Sequence, residues 1–238
     1  MRTLIILFSI LVSFHLLANH VKKGFKELAA SNYSYSLHHF QKALKKDKAV
    51  AAYGLTKLYL ASGMYNIDSS FKYILLSEQS FAVLDSKKRL KIKEFQCDSI
   101  AIFALKMTIS KLFFERLMKA PTLESVNDYI LIHPWSSSIP KAIDTRDSLA
   151  FSDALVLNTS IGFQDYMANY PNSKLLNEAQ VHFFDCQFKE NTGSNRLEDL
   201  EAFLVNYPES PYIEEVEDRV FKYYEIDSAI YFTSFNFG

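Results

Sequence analysis

Apolar residues recur along this chain with the three-to-four residue period of helices that each bury one face. In SIGFQDYMANY (160–170) and LEDLEAFLVNY (197–207) they fall at i, i+3 and i+4 or i+7, one stripe of an α-helix. Proline then closes each stretch, because it has no N–H to donate and restricts the residue before it. Ser173 and Ser210 stand where they would cap the following helix, with Pro211 at its first position. The spacing predicts these second, longer helices over Pro140–Leu157, Lys174–Lys189 and Pro211–Tyr224. No proline precedes Pro121, so the first half reads as long helices.

The pattern repeats. His133-Pro134, Tyr170-Pro171 and Tyr207-Pro208 are spaced by 37 residues and then 37 again, each with a serine two residues after the proline: Ser136, Ser173 and Ser210. Eight residues before each proline stands an apolar residue (Val126, Phe163, Leu200), with an aromatic three further on (Tyr129, Tyr166, Phe203). Phe232 and Phe235, spaced by three as in the other copies, read as a fourth, incomplete copy. A fainter repeat runs through the first half, where Ser36, Phe40 and Ala43 recur 34 residues later as Ser70, Ile74 and Ser77. Each unit is a helical hairpin that can bury its apolar face only against its neighbours, so the expected fold is all-α, an α-solenoid of such hairpins.

FQDYMANYPNSKLLNEA and LEAFLVNYPESPYIEEV resemble the YP-x-S variety of the tetratricopeptide (TPR) repeat. That variety occurs in bacterial envelope proteins such as β-barrel assembly lipoproteins and Tol–Pal coordinators. The resemblance divides the chain into an N-terminal segment (1–18), weak TPR-like repeats (19–85), connecting helices that form an irregular joint (86–120) and YP-type repeats, the last incomplete (121–238). The cysteine that an assembly lipoprotein carries near its N-terminus has no counterpart here, and the glycine expected in the first helix of a TPR is out of register. The family implies a concave groove that binds a protein or an extended peptide. Counted from each proline, the positions it turns toward the groove are Lys141 and Thr145, Glu178 and His182, and Glu215 and Arg219. These six are the candidate partner-binding residues, although they do not reproduce the Lys/Asn clamp of chaperone-tail-binding TPR domains.

Arg2, the apolar run Leu4–Ala18 and the polar residues after it fit a secretory signal peptide, since a run of fifteen residues falls short of the roughly 20 needed to span a bilayer. Export to the periplasm or cell surface is expected; a retained N-terminal anchor and a buried first helix are the alternatives. Cys97 and Cys186, the only cysteines, lie in apolar helical context and read as buried free thiols too far apart to pair. The formal charge of −1 conceals a division at residue 120: 19 Lys+Arg against 8 Asp+Glu before it (+11), 7 against 19 after it (−12). In an elongated array these become a basic and an acidic end, with different partners or a salt-sensitive head-to-tail self-association.

No catalytic or cofactor motif is present: no G-x-G-x-x-G, phosphate loop, H-E-x-x-H, G-x-S-x-G or C-x-x-C. His38 and His39 point to different parts of a helix surface. His182 and Cys186 form an i, i+4 pair, but two ligands do not make a metal site. Asn32-Tyr-Ser34 and Asn158-Thr-Ser160 match the glycosylation pattern, which is common by chance. The expected function is therefore a non-catalytic exported scaffold for protein–protein interaction in cell-envelope assembly, with no cofactor, no metal and no nucleic-acid partner. The alternative is the helical solenoid arm, or a fragment, of a larger envelope or cell-wall-acting enzyme, suggested by the apolar ending YFTSFNFG.

Overall fold

A computed structural model describes residues 20–235, with side chains through Glu225; the candidate leader and the Phe232 and Phe235 side chains lie outside the described residues. Among the described residues there are twelve α-helices, two short 3-10 turns and no strand, so the fold is all-α. None of these helices is long and apolar enough to cross a membrane. The chain forms two compact units. The first runs to Pro121 and adds Tyr129–Ile139; the second comprises Thr122–Asp128 and everything from Pro140 on. The charge division follows this boundary, because Tyr129–Ile139 contains no charged residue.

The first unit is built from α1 (20–29), α2 (Tyr33–Ala43), α3 (Lys48–Leu60), α4 (Ile67–Ala82), α5 (Ser86–Ile92) and α6 (Ser99–Leu117). Helix α3 is its centre, with nine of thirteen residues buried, which is why its sequence KAVAAYGLTKLYL shows little amphipathic pattern. The two small–large–small trios are fully buried. Their small members let backbones approach: Ser36 Oγ donates to the Gly24 carbonyl and Ser77 Oγ to the Ala49 carbonyl, each at 2.9 Å. Phe40 lies between two glycines, and a Cβ on Gly24 or Gly54 would come within 2.6 or 2.3 Å of its ring. Asn66, Asp85 and Asp98 cap α4, α5 and α6, accepting the amides of Ser69, Lys88 and Ala101 at 2.8 Å. Ile102 and Ile109 of α6 share one core with Ile74 and Phe81 of α4.

Helix α7 (Leu123–Ile132) carries the unit boundary, and the second unit continues through α8 (Ile139–Leu157), α9 (Ser160–Asn169), α10 (Leu176–Thr192), α11 (Leu197–Asn206) and α12 (Ile213–Phe235). Helix α10 starts two residues later than the spacing predicts and runs three further; α12 likewise starts at Ile213 and continues past Tyr224. The serines do not cap these helices, and Pro211 is not their first residue. Ser173 Oγ is instead engaged by the Tyr166 hydroxyl at 2.6 Å and by the Leu175 amide at 3.1 Å, which makes an additional turn before α10 begins. The inter-hairpin turns use left-handed asparagines, Asn158 (φ 47°) and Asn195 (φ 55°), again 37 residues apart. Each is held by a side chain 28 residues later: Cys186 Sγ meets the Asn158 side chain, and the Tyr223 hydroxyl donates to the Asn195 carbonyl. In the first unit the same reach of 28 residues joins Ser77 to Ala49 and Lys106 to Glu78.

Candidate functional site

Three turns share one construction. In each, the amide of the residue before proline bonds back four residues (His133 to Tyr129, Tyr170 to Tyr166, Tyr207 to Phe203), at 2.9 Å in every case. The serine amide then bonds the carbonyl of that same residue at 2.9, 3.0 and 3.0 Å. The serine Oγ accepts the amide two residues on, from Ser138, Leu175 or Tyr212. Val126, Phe163 and Leu200 are wholly buried, and Tyr129, Tyr166 and Phe203 nearly so.

These turns project the six candidate residues from the starts of α8, α10 and α12. Lys141, Glu178 and Glu215 are exposed. Their partners four residues on are half-buried and differ in what they touch. Thr145 Oγ1 donates to the Lys141 carbonyl at 2.8 Å. His182 stacks on Phe163, with ring centroids 5.1 Å apart and planes 13° from parallel. Arg219 lies over the Phe188 ring at 4.9 Å and bonds Glu215 at 2.5 Å. Lys141, Glu178 and Glu215 are thus open to solvent, while His182 and Arg219 lie against the Phe163 and Phe188 rings.

Two charged clusters were not expected. In the second unit, Arg146 holds Asp147 through two bonds of 2.9 and 2.7 Å and lies 5.1 Å over Tyr170; Asp147 is buried. In the first unit, Lys106 is 8% exposed, grips both carboxylate oxygens of Glu78 at 3.0 and 2.8 Å, and sits 3.7 Å from the ring centroid of Trp135. Beside it His133 is enclosed by the rings of Phe71, Phe113, Tyr129 and Trp135, at 4.8 to 5.9 Å. Burial, with Lys106 adding to it, lowers the His133 imidazole to about 4, so it stays neutral. His133 Nδ1 and Trp135 Nε1 are buried without a protein partner. Each cluster had a signal in the sequence: Lys106 falls in the stripe Ile102–Ile109, and Asp147 lies four residues before Phe151, both at positions an apolar residue should fill.

Chemically, both ion pairs are neutralised internally rather than presenting charge; Lys106–Glu78 joins α6 to α4, while Arg146 and Asp147 are neighbours within α8. Cys97 and Cys186 are buried free thiols; burial pushes Cys97 up to about 12 and Cys186 upward, which keeps both protonated. Comparison with family models, with curated proteins and with solved structures finds no match to this chain.

Proposed function

We propose that the protein is a non-catalytic scaffold of TPR-like hairpins, stacked as an α-solenoid, that binds another protein or an extended peptide over Lys141, Glu178 and Glu215. The supporting observation is the threefold recurrence of one turn, with the same hydrogen bonds and the same buried positions every 37 residues. A fold made by repeating a hairpin offers a row of equivalent side chains, which suits an extended partner better than a compact substrate. The −12 charge of the second unit favours a basic partner segment there, and the opposite charges of the two units support a salt-weakened head-to-tail self-association. The apolar segment behind Arg2 supports export and a role in cell-envelope assembly.

The test places a photo-crosslinking residue at position 141, 178 or 215, with exposed Asp153 as the control, in cells that produce the full chain. Crosslinks to one common partner from the first three positions and not from 153 are expected. Equal crosslinking at all four positions, or none at the first three, would overturn the reading.

A further inference from the structure

We propose that the outer face of α1 and α2 docks on an anionic lipid surface, with lysines holding the phosphate headgroups of the bilayer. Residues 20–48 contain seven lysines against two carboxylates, Glu27 and Asp47, and all seven lysines are exposed. Helix register gathers them. In α1 the buried Val21 and Gly24 set the inner side, which leaves Lys22, Lys23 and Lys26 on the opposite one. In α2 the buried trio Ser36, Phe40 and Ala43 leaves Tyr35, His38 and Lys42 outward, with Lys45 and Lys46 in the turn that follows.

The two rows form one surface. His20 on α1 and His39 on α2 share a hydrogen bond between Nδ1 atoms 2.9 Å apart, and the His38 ring stands 5.6 Å from that of His39. Burial, then Lys42 and Lys23, holds the His20 imidazole below its ordinary value, which sets both ammonium groups beside this contact between the helices. Among the described residues the ion pairs of the first unit take Lys88, Lys106, Lys111 and Arg116, and none of the seven lysines. Glu27 accepts the Asn32 side-chain amide at 2.8 Å. The ammonium groups of the face are thus left for anions from outside the chain.

A bilayer suits this face better than a strand of nucleic acid. Single strands stack their bases on several aromatic side chains, whereas Tyr35 is the one large aromatic exposed here among the described residues. Lys22 follows Ala18, the end of the apolar run, by four residues, a reach of at most about 14 Å. The headgroup layer is about 5 to 8 Å thick and the Debye length about 8 to 10 Å. A bilayer that receives the run therefore meets the α1 lysines at its headgroups. The same surface attracts the first unit and repels the second, whose formal charge is −12. This inference stands apart from the scaffold reading, whose test lies in the second unit.

The experiment measures co-sedimentation of the full chain with vesicles of phosphatidylcholine alone or mixed with phosphatidylglycerol. Binding to the anionic vesicles should exceed binding to the neutral ones. It should fall to the neutral level as salt rises from about 0.1 to 1 M, where the Debye length shrinks from about 10 to about 3 Å. Each lysine at the surface contributes about fivefold, so Lys23→Gln, Lys26→Gln and Lys42→Gln together should lower the anionic affinity about 100-fold. Lys87→Gln, Lys91→Gln and Lys93→Gln remove the same charge from exposed positions of α5 and the turn after it, and should lower it far less. Equal losses in the two triple variants, or equal binding to the two kinds of vesicle, would overturn the proposal. So would an oligonucleotide that binds more tightly than the vesicles and weakens only in the first variant, or a salt-sensitive dimer lost in that variant while vesicle binding is kept.

Discussion

Replacing Phe203 by tyrosine should stabilise the protein. In the two preceding copies of the turn, the Tyr129 and Tyr166 hydroxyls lie 2.6 Å from the serine seven residues on. Phe203 occupies the same register, 1% exposed, and Ser210 stands seven residues later, 7% exposed. Its Oγ already accepts the Tyr212 amide at 3.3 Å, as Ser173 accepts Leu175, so the added hydroxyl meets a serine oriented as in the other copies. A buried neutral hydrogen bond contributes about 0.5–1.5 kcal/mol net. For a chain of this size that corresponds to a rise in Tm of roughly 1–5 °C. The assay is thermal and urea unfolding by circular dichroism at 222 nm on Phe203→Tyr, Ser210→Ala and the double variant. The cycle should return a coupling of about 0.5–1.5 kcal/mol, and Tyr166→Phe should lose a similar amount. A destabilised Phe203→Tyr with zero coupling to Ser210 would show that the third turn is not equivalent to the others, and the argument from repetition would fail with it.

Gly54→Ala should destabilise by about 1–3 kcal/mol in urea unfolding, despite the better helix propensity of alanine, because its Cβ meets the buried Phe40 ring at 2.3 Å. Removing the two partners of the Lys106–Glu78 pair should have unequal effects. Glu78→Ala leaves a buried ammonium unpaired and costs about 3 kcal/mol, whereas Lys106→Met leaves a carboxylate that is 41% exposed and costs far less; Trp135, the only tryptophan, reports both by fluorescence. Acid should unfold the first unit through His133: its pKa is depressed from 6.5 to about 4, so the stability it contributes is present above 6.5 and lost as pH falls toward 4. That loss amounts to about 3 kcal/mol across the window. His133→Tyr, the residue at the matching positions 170 and 207, should flatten this dependence, and an unchanged pH profile would refute the assignment.

The helical period and the 37-residue repeat were legible because both are local: apolar spacing fixes a helix face, and Tyr-Pro-x-Ser ends one helix within four residues. Cap propensity misplaced the starts of α10 and α12, since Ser173 and Ser210 accept the amides only two residues on, Leu175 and Tyr212, inside the turn that precedes each helix. Lys106 and Asp147 broke apolar stripes, which marks a buried charge; Arg146 stands next to Asp147 in the sequence, but Glu78, 28 residues from Lys106, could be matched to it only by packing. The His20–His39 hydrogen bond was not legible because its members are 19 residues apart, on α1 and α2. All-α architecture was within reach of the sequence; contacts between helices were not.

The recurring reach of 28 residues has a consequence for how the protein is made. Each inter-hairpin turn of the second unit is fastened by a residue that leaves the ribosome 28 positions after it, at 5–20 residues per second a delay of roughly 1.4 to 6 s. During that interval a newly emerged hairpin has its own helices but not its latch. Assembly is then directional: every hairpin matures only when its successor arrives, and trimming the chain from its C-terminal side loosens the hairpin before the cut as well as removing the one beyond it.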